Sequence, residues 1–436
     1  MSTPPCAPPP NPWRTAVVAG MASYLDAGAI VSTATALVLY EPHLGLDNAA
    51  IGRISALLTF CFAIGALVGG RLGDRFGRRR VLTVTLLLYL LGTLFLACAQ
   101  TPEMLYAGAI VVGLAIGADL PVSLALIAEE APAQLKGRMI ALSGLLWAVG
   151  IIAATLLAVV ATQLGETGAR LLYGHLVLVA AVVLVLRTTL RESAEWTAAR
   201  EKMDTASGAS EEIRLGALRQ LFTRPLLGTM LATGLYYALW NLGANTNGQF
   251  GEFLWVKLTD QSVQSLTALK AAAIPFAVTA LLVFMWVADR PARRRWFIAG
   301  TLLALTGYAL PVVAGPSPFT LAALLLLTAI GASFSGETMY KLWSQELVPT
   351  LLRSTVQGVT MAFARLLAAA FAVVTPALAT GHSSVLFSLN LAFAIAAALI
   401  ALLWIPRLPT AADLAPAESA TADSPHTAIP SAAAGR

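Results

Sequence analysis

Twelve apolar runs dominate this chain of 436 residues. They lie near residues 15–40, 48–70, 81–99, 104–127, 139–162, 171–190, 225–250, 266–288, 296–314, 318–343, 355–379 and 384–405. Crossing a bilayer takes roughly 20 apolar residues in a helix. In hydrocarbon every backbone group must find its partner internally, and runs of this length select helices over barrel strands. The predicted fold class is therefore an all-α membrane protein with twelve transmembrane helices. Composition agrees where it matters: only 12% of residues are charged, against about 25% in soluble domains. Pro121, Pro275 and Pro376 fall inside runs and are tolerated because neighbouring groups re-satisfy the backbone.

The runs fall into two sets of six. The longest polar break, Arg187 to Arg224, separates them. "GDRFGRRR" begins at Gly73, and "ADRPARRR" begins at Ala288, 215 residues later. Each lies between the second and third run of its half. A second pair agrees: Glu129, Pro132 and Lys136 after run four match Glu346, Pro349 and Arg353 after run ten, at an offset of 217 residues. Two motifs at nearly one offset indicate a duplicated six-helix unit. Parallel repeats of this kind suit rocking of two halves about a central site. The expected organisation is a disordered tail over 1–12, a six-helix bundle over 13–190 and a linker over 191–224. A second bundle follows over 225–407, then a disordered tail over 408–436.

The net charge of +5 comes from a skewed distribution rather than a nucleic-acid surface. Most Lys and Arg fall in the even-numbered connections and the tails. Arg53, Arg170, Lys257 and Lys270 fall on the other side. Positive residues mark the cytoplasmic side, so both termini are expected there, in a plasma (inner) membrane. Cys6, Cys61 and Cys98 are scattered, which implies neither a disulfide framework nor a metal cluster. The N-terminus lacks the charged start of a signal peptide. There is no nucleotide loop, metal spacing or nucleophile motif, so an enzyme is not expected.

"GGRLGDRFGRRR" resembles the signature of the major facilitator superfamily between its second and third spans. "ESAEW" after run six, both Glu-x-x-Pro elements and "SYLDAG" in run one are similar to the sugar porters and related metabolite–proton symporters. The resemblance implies a monomeric carrier with two pseudo-symmetric six-helix bundles, working by alternating access. It needs no cofactor, because the proton gradient supplies the energy.

Charges at the cytoplasmic ends read as a gate. Asp74 and Asp289 follow runs two and eight, where a carboxylate can pair with cations of the facing half. Glu129 and Glu346 can hold the arginines Arg78 and Arg293 of the knots. Arg75, Lys136 and Arg353 complete the set. The alternative is a set of topology signals in solvated loops.

Ionisable residues inside spans are costly and usually functional. Asp26 sits near the middle of run one. Burial disfavours a charged carboxylate, so it can exchange a proton near neutral pH. The resemblance implies that it couples transport to protons; a structural cap in a broken helix is the other reading. Sugar porters place an arginine in span four as its partner, and Ala109 stands there. Asp119 and Glu337 occupy matching places in the two halves. Lys341 lies one turn beyond Glu337 and can pair with it. Arg365, about 18 Å into its helix from Arg353, needs an anion: Glu337, Asp119 or a substrate carboxylate. Tyr237, Asn241 and Asn245 share a stripe in run seven, with Trp240 and Gln249 nearby. Amides and rings at mid-depth suit a polar ligand. Trp147 is a further pocket candidate, and His175 reads as a satisfied buried residue.

The leading expectation is proton-coupled uptake of a small polar metabolite, either a sugar or polyol or a small organic acid. A drug or metabolite exporter and a non-transporting membrane sensor are the alternatives. "SGLLWAVGIIAA" lacks the Gly-Pro of the exporters, and the tails are too short for a sensor domain.

Overall fold

A computed structural model describes residues 11–207, 224–411 and 413. Most of the expected tails, and linker residues 208–223, lie outside the described residues. At the near end the expected tail is shortened. Asn11 accepts a hydrogen bond from the Trp13 amide, and Pro12 opens the first helix. Proline suits that position because its missing N–H would have had no partner.

In the first half the helices are α1 (Pro12–Leu44), α2 (Asn48–Phe76), α3 (Arg78–Ala97), α4 (Pro102–Glu130), α5 (Lys136–Ala161) and α6 (Glu166–Arg187). A short helix, α7 (Ala194–Ser207), follows. The second half holds α8 (Arg224–Thr259), α9 (Val263–Val287), α10 (Arg293–Val313), α11 (Pro318–Ser335), α12 (Glu337–Glu346), α13 (Arg353–Gly381) and α14 (Ser383–Leu399). A π-turn (Ile400–Trp404) and a 3-10 turn (Ile405–Arg407) extend α14. No strand occurs among the described residues.

Eleven spans among the described residues are long and apolar enough to cross a membrane, with α11 and α12 counted as one. The twelfth expected span is α8. It is 36 residues long, but its amide-rich stretch from Asn241 to Gln249 makes it the least apolar of the set. The tenth span is not continuous. It breaks at Gly336, where a Cβ would run into the Trp240 ring. Between α2 and α3 the chain turns at Gly77, whose φ of 96° favours glycine. A side chain there would also strike the Glu192 carboxylate.

Helix packing supports the duplication. Within the first half α2 packs on α4, and α1 on α5 and α6. Between the halves α2 packs on α13, and α5 packs on α9. Spans two and five of the first half thus meet spans eleven and eight of the second, as a pseudo-twofold exchange requires. Leu156, Leu178, Val185, Val313 and Val373 lie exposed on the outer faces. Such faces are stable in lipid and unfavourable in water.

Candidate functional site

The gate residues assemble at the arginine-knot end. Arg78 is fully buried and spends its donors on four oxygen-bearing groups. Nη1 donates to Asp74 (2.7 Å) and to the Gly73 carbonyl (2.7 Å). Nη2 donates to Glu129 (2.7 Å) and, across to the second half, to the Thr350 carbonyl (2.8 Å). Asp74 accepts from the Thr355 amide (2.7 Å), the Thr355 hydroxyl (2.6 Å) and the Ser354 amide (3.4 Å). Those amides open α13, so Asp74 caps a helix of the opposite half, where the helix dipole favours an anion.

The second copy repeats this. Asp289 accepts from the Gly137 amide (2.5 Å) and the Arg138 amide (3.0 Å) at the start of α5. Arg293 grips Glu346 with two hydrogen bonds (2.7 and 3.1 Å). The expected cross-half carboxylate–cation pairing holds for Asp289, which lies 3.8 Å from Arg138, and for Glu129, 4.0 Å from Arg353, and is corrected for Asp74, whose cation is Arg78 of its own half. Each aspartate reaches a helix N-terminus across the interface, and each principal arginine–glutamate pair stays within its own half. Arg75 stacks on neighbouring Phe76. Lys136 begins α5 amid the charges of Arg353, Glu195, Glu346 and Glu129, with no ion pair within 4.0 Å among the described residues.

Sequence reasoning allowed short surface helices in the linker but left out their contact with the gate. Glu192 accepts from the Arg78 and Arg79 amides (2.7 and 3.2 Å), which fixes the start of α3. Trp196 donates to the Asp74 carbonyl (3.0 Å). Glu195 crosses to the second half and pairs with Arg353 (2.8 Å) and the Thr350 hydroxyl. "ESAEW" was the available signal, since two acids next to an arginine knot are unlikely companions without contact.

Asp119 is corrected as a substrate residue. Arg187, at the end of α6, holds both its oxygens (2.7 Å each). Thr85 adds a 2.6 Å hydrogen bond, and Arg187 also donates to the Leu82 carbonyl. This buried clamp ties α3, α4 and α6 together. It leaves Asp119 no capacity for a ligand or for Arg365.

The remaining polar residues gather between the halves at mid-depth. Asp26 is buried and accepts from the Trp147 indole (3.2 Å). It faces the charges of Arg365, Glu337 and Lys341. Glu337 opens α12 just past the Gly336 break and pairs with Lys341 at 2.9 Å, the expected i, i+4 contact. The Arg365 guanidinium lies 4.8 Å from the centre of the Phe62 ring. It has no ion pair within 4.0 Å among the described residues, and its Nε finds no partner.

Tyr237 stacks nearly parallel on Tyr340 (4.1 Å between ring centres) and on Trp240 (6.2 Å). Its hydroxyl stands beside Glu337 without a well-aligned hydrogen bond. The Asn241 side-chain oxygen is buried and unpartnered. Asn245 is half-buried, and Gln249, further along α8, is exposed. Tyr340 and Phe62 were missed, being ordinary apolar-run residues in the sequence. His175 bonds Tyr24 at 2.7 Å through one ring nitrogen, while the other has no partner.

The hydrogen bonds described between the halves all lie at the knot end. The molecule is thus sealed there around a charged, aromatic centre. The family profile of the Major Facilitator Superfamily matches residues 16–373. The chain belongs to that superfamily. The minor myo-inositol transporter IolF of Bacillus subtilis (strain 168) is 28% identical over 397 residues, covering 90% of each chain. The niacin transporter NiaP of Acinetobacter baylyi is 40% identical over 134 residues, 30% of this chain and 29% of that one. Among solved structures, the proton:xylose symporter XylE bound to 6-bromo-6-deoxy-D-glucose superposes with a TM-score of 0.73 at 18% identity. That match covers 92% of this chain and 96% of the other. The superfamily consists of transporters, and this chain is one rather than an enzyme.

Proposed function

We propose that the protein is a proton-coupled uptake carrier for a small polar metabolite, a sugar or polyol or a small organic acid. It works as a monomer in the plasma membrane with the knot end and both termini cytoplasmic. The proton gradient is its energy source. The observation that carries this reading is Asp26: a buried carboxylate between the halves, held by Trp147 and facing Arg365, Glu337 and Lys341. A buried ionisable group in this position is the means by which a gradient enters such a cycle. Trp147, Tyr237, Trp240, Asn241, Asn245 and Gln249 form the polar and aromatic lining for the substrate. The two latches close the cytoplasmic side while the substrate enters from outside.

The names of the relatives support a metabolite rather than a bulky drug. The test is uptake into proteoliposomes of myo-inositol, xylose and nicotinate, each with and without an inward proton gradient. Accumulation of at least one should require the gradient and vanish in Asp26→Asn. Uptake indifferent to both would remove the coupling assignment.

A further inference from the structure

Among the described residues Arg365 and Asp26 are the two central charges without an ion pair. Arg365 sits deep in α13, its Nε unpartnered and its face on Phe62. An arginine stays protonated under all ordinary conditions, so a half-buried one this deep in a span calls for an anion. Glu337 is committed to Lys341 at 2.9 Å. Asp119 is committed to Arg187. That leaves Asp26.

The surroundings of Asp26 narrow the choice further. The helices packed on α1 are α5, α6, α4 and α2. From α5 comes Trp147, which donates to Asp26. From α6 comes His175, which is bonded to Tyr24. From α4 comes Asp119, already clamped, and Ala109 stands where a first-half arginine would be expected. The Tyr89 hydroxyl donates to the Leu25 carbonyl beside Asp26. Among the described residues no first-half cation is paired with Asp26. Its cations, Arg365 and Lys341, come from the second half, and Lys341 is occupied.

The four central charges of Asp26, Glu337, Lys341 and Arg365 cancel when Asp26 is ionised. When Asp26 takes a proton, one positive charge is left over, on Arg365. A neutral cargo would leave that charge uncompensated inside the span. A monoanion restores the balance.

We propose that Arg365 exchanges counter-ions, facing Asp26 in the empty carrier and a substrate carboxylate once Asp26 is protonated. The cargo is then a small monocarboxylate, carried with one proton and no net charge. This rests on the proton-coupled carrier reading. The Asn241 oxygen and the Tyr237 hydroxyl, both without a partner, offer it polar contacts. Because Asp26 and Arg365 belong to opposite halves, protonation also removes an attraction between the halves, which ties proton binding to their separation.

The experiment is counterflow with the full chain in proteoliposomes at pH 6 and 7.5, with nicotinate, nicotinamide and myo-inositol as probes. Intrinsic tryptophan fluorescence, from Trp147 and Trp240 among others, reports binding. Nicotinate should exchange at least about tenfold faster than its uncharged amide, because a site built for a carboxylate rejects the isostere. An imposed membrane potential should not change its rate. Asp26→Asn should remove the pH dependence, Arg365→Gln should abolish the acid-over-amide preference, and Arg365→Lys should restore part of it.

If myo-inositol or the amide exchanges as fast as nicotinate, with a dependence on the gradient and on Asp26, the carboxylate proposal falls and the carrier reading stands. Exchange independent of both would defeat the carrier reading itself. If nicotinate, benzoate and lactate all fail to exchange and to alter fluorescence, the proposal is overturned. The acid–amide comparison on the unaltered protein decides the matter even if an Arg365 variant does not fold.

Discussion

The two latches carry the same sequence pattern and differ in burial. In the first, the side chains of Arg78 and Glu129 are 0% exposed. In the second, Arg293 is 27% and Glu346 32% exposed. The difference comes from what covers them. The linker helix α7 lies against the first latch, with Glu192 on the start of α3 and Trp196 on the Asp74 carbonyl. Beside the second latch is a cavity of about 290 Å³, lined by Arg293, Arg294, Trp343 and Glu346 among others. A repeated motif therefore fixes who pairs with whom, and the neighbouring chain fixes how much the pairing is worth. Pairs shielded from water are costly to break singly, whereas solvated pairs contribute little.

The largest expected effect follows from Arg78→Ala. It leaves Asp74 a buried charge without a cation and Glu129 with Arg353 alone at 4.0 Å, and should cost the sealed state about 3–5 kcal/mol. Labels at the knot end should report a shift to separated halves, with loss of uptake. Next comes Asp74→Asn against Asp289→Asn. Each removes a charge from a helix N-terminus, an effect of up to ~2 kcal/mol when partly buried. Asp74 loses a fully buried arginine at 2.7 Å, whereas Asp289 loses only the more exposed Arg138 at 3.8 Å, so the two variants should differ, with Asp74→Asn the more open by the same labels.

Smaller again is Glu195→Ala. It removes the cross-half contacts to Arg353 and Thr350 and, being partly exposed, should cost roughly 1 kcal/mol. Combined with Arg78→Lys it should do more than either alone, because both act on Thr350. The smallest effect is expected from Arg293→Ala, at about 0–1 kcal/mol. Equal openings in Arg78→Ala and Arg293→Ala would break the comparison.

Much of this was legible in the sequence for a simple reason: hydrocarbon leaves helices as the one solution for apolar runs, and duplication repeats the polar knots at a fixed offset. Asp26, Glu337, Lys341 and Arg365 were found because charges in a span stand out. What was hidden depends on backbone groups and on distant partners. The cross-half partners of Asp74 and Asp289 are amides of helix starts, which no residue type advertises. Asp119 matched Glu337 in spacing, yet Arg187, at the end of the sixth run, had claimed it. The break at Gly336, against which the Trp240 ring packs, was hidden too, because one glycine in a run does not announce a break.

The central claim is that the knot end is held shut chiefly by the first latch while the halves move about the charged centre. Pulsed electron–electron distances between spin labels on exposed Gln134 and Pro291 test it most directly, in the unaltered carrier, in Arg78→Ala and in Arg293→Ala. The account predicts one short-distance population in the unaltered carrier and in Arg293→Ala, and a dominant longer one in Arg78→Ala. A distribution that stays short in Arg78→Ala would contradict it.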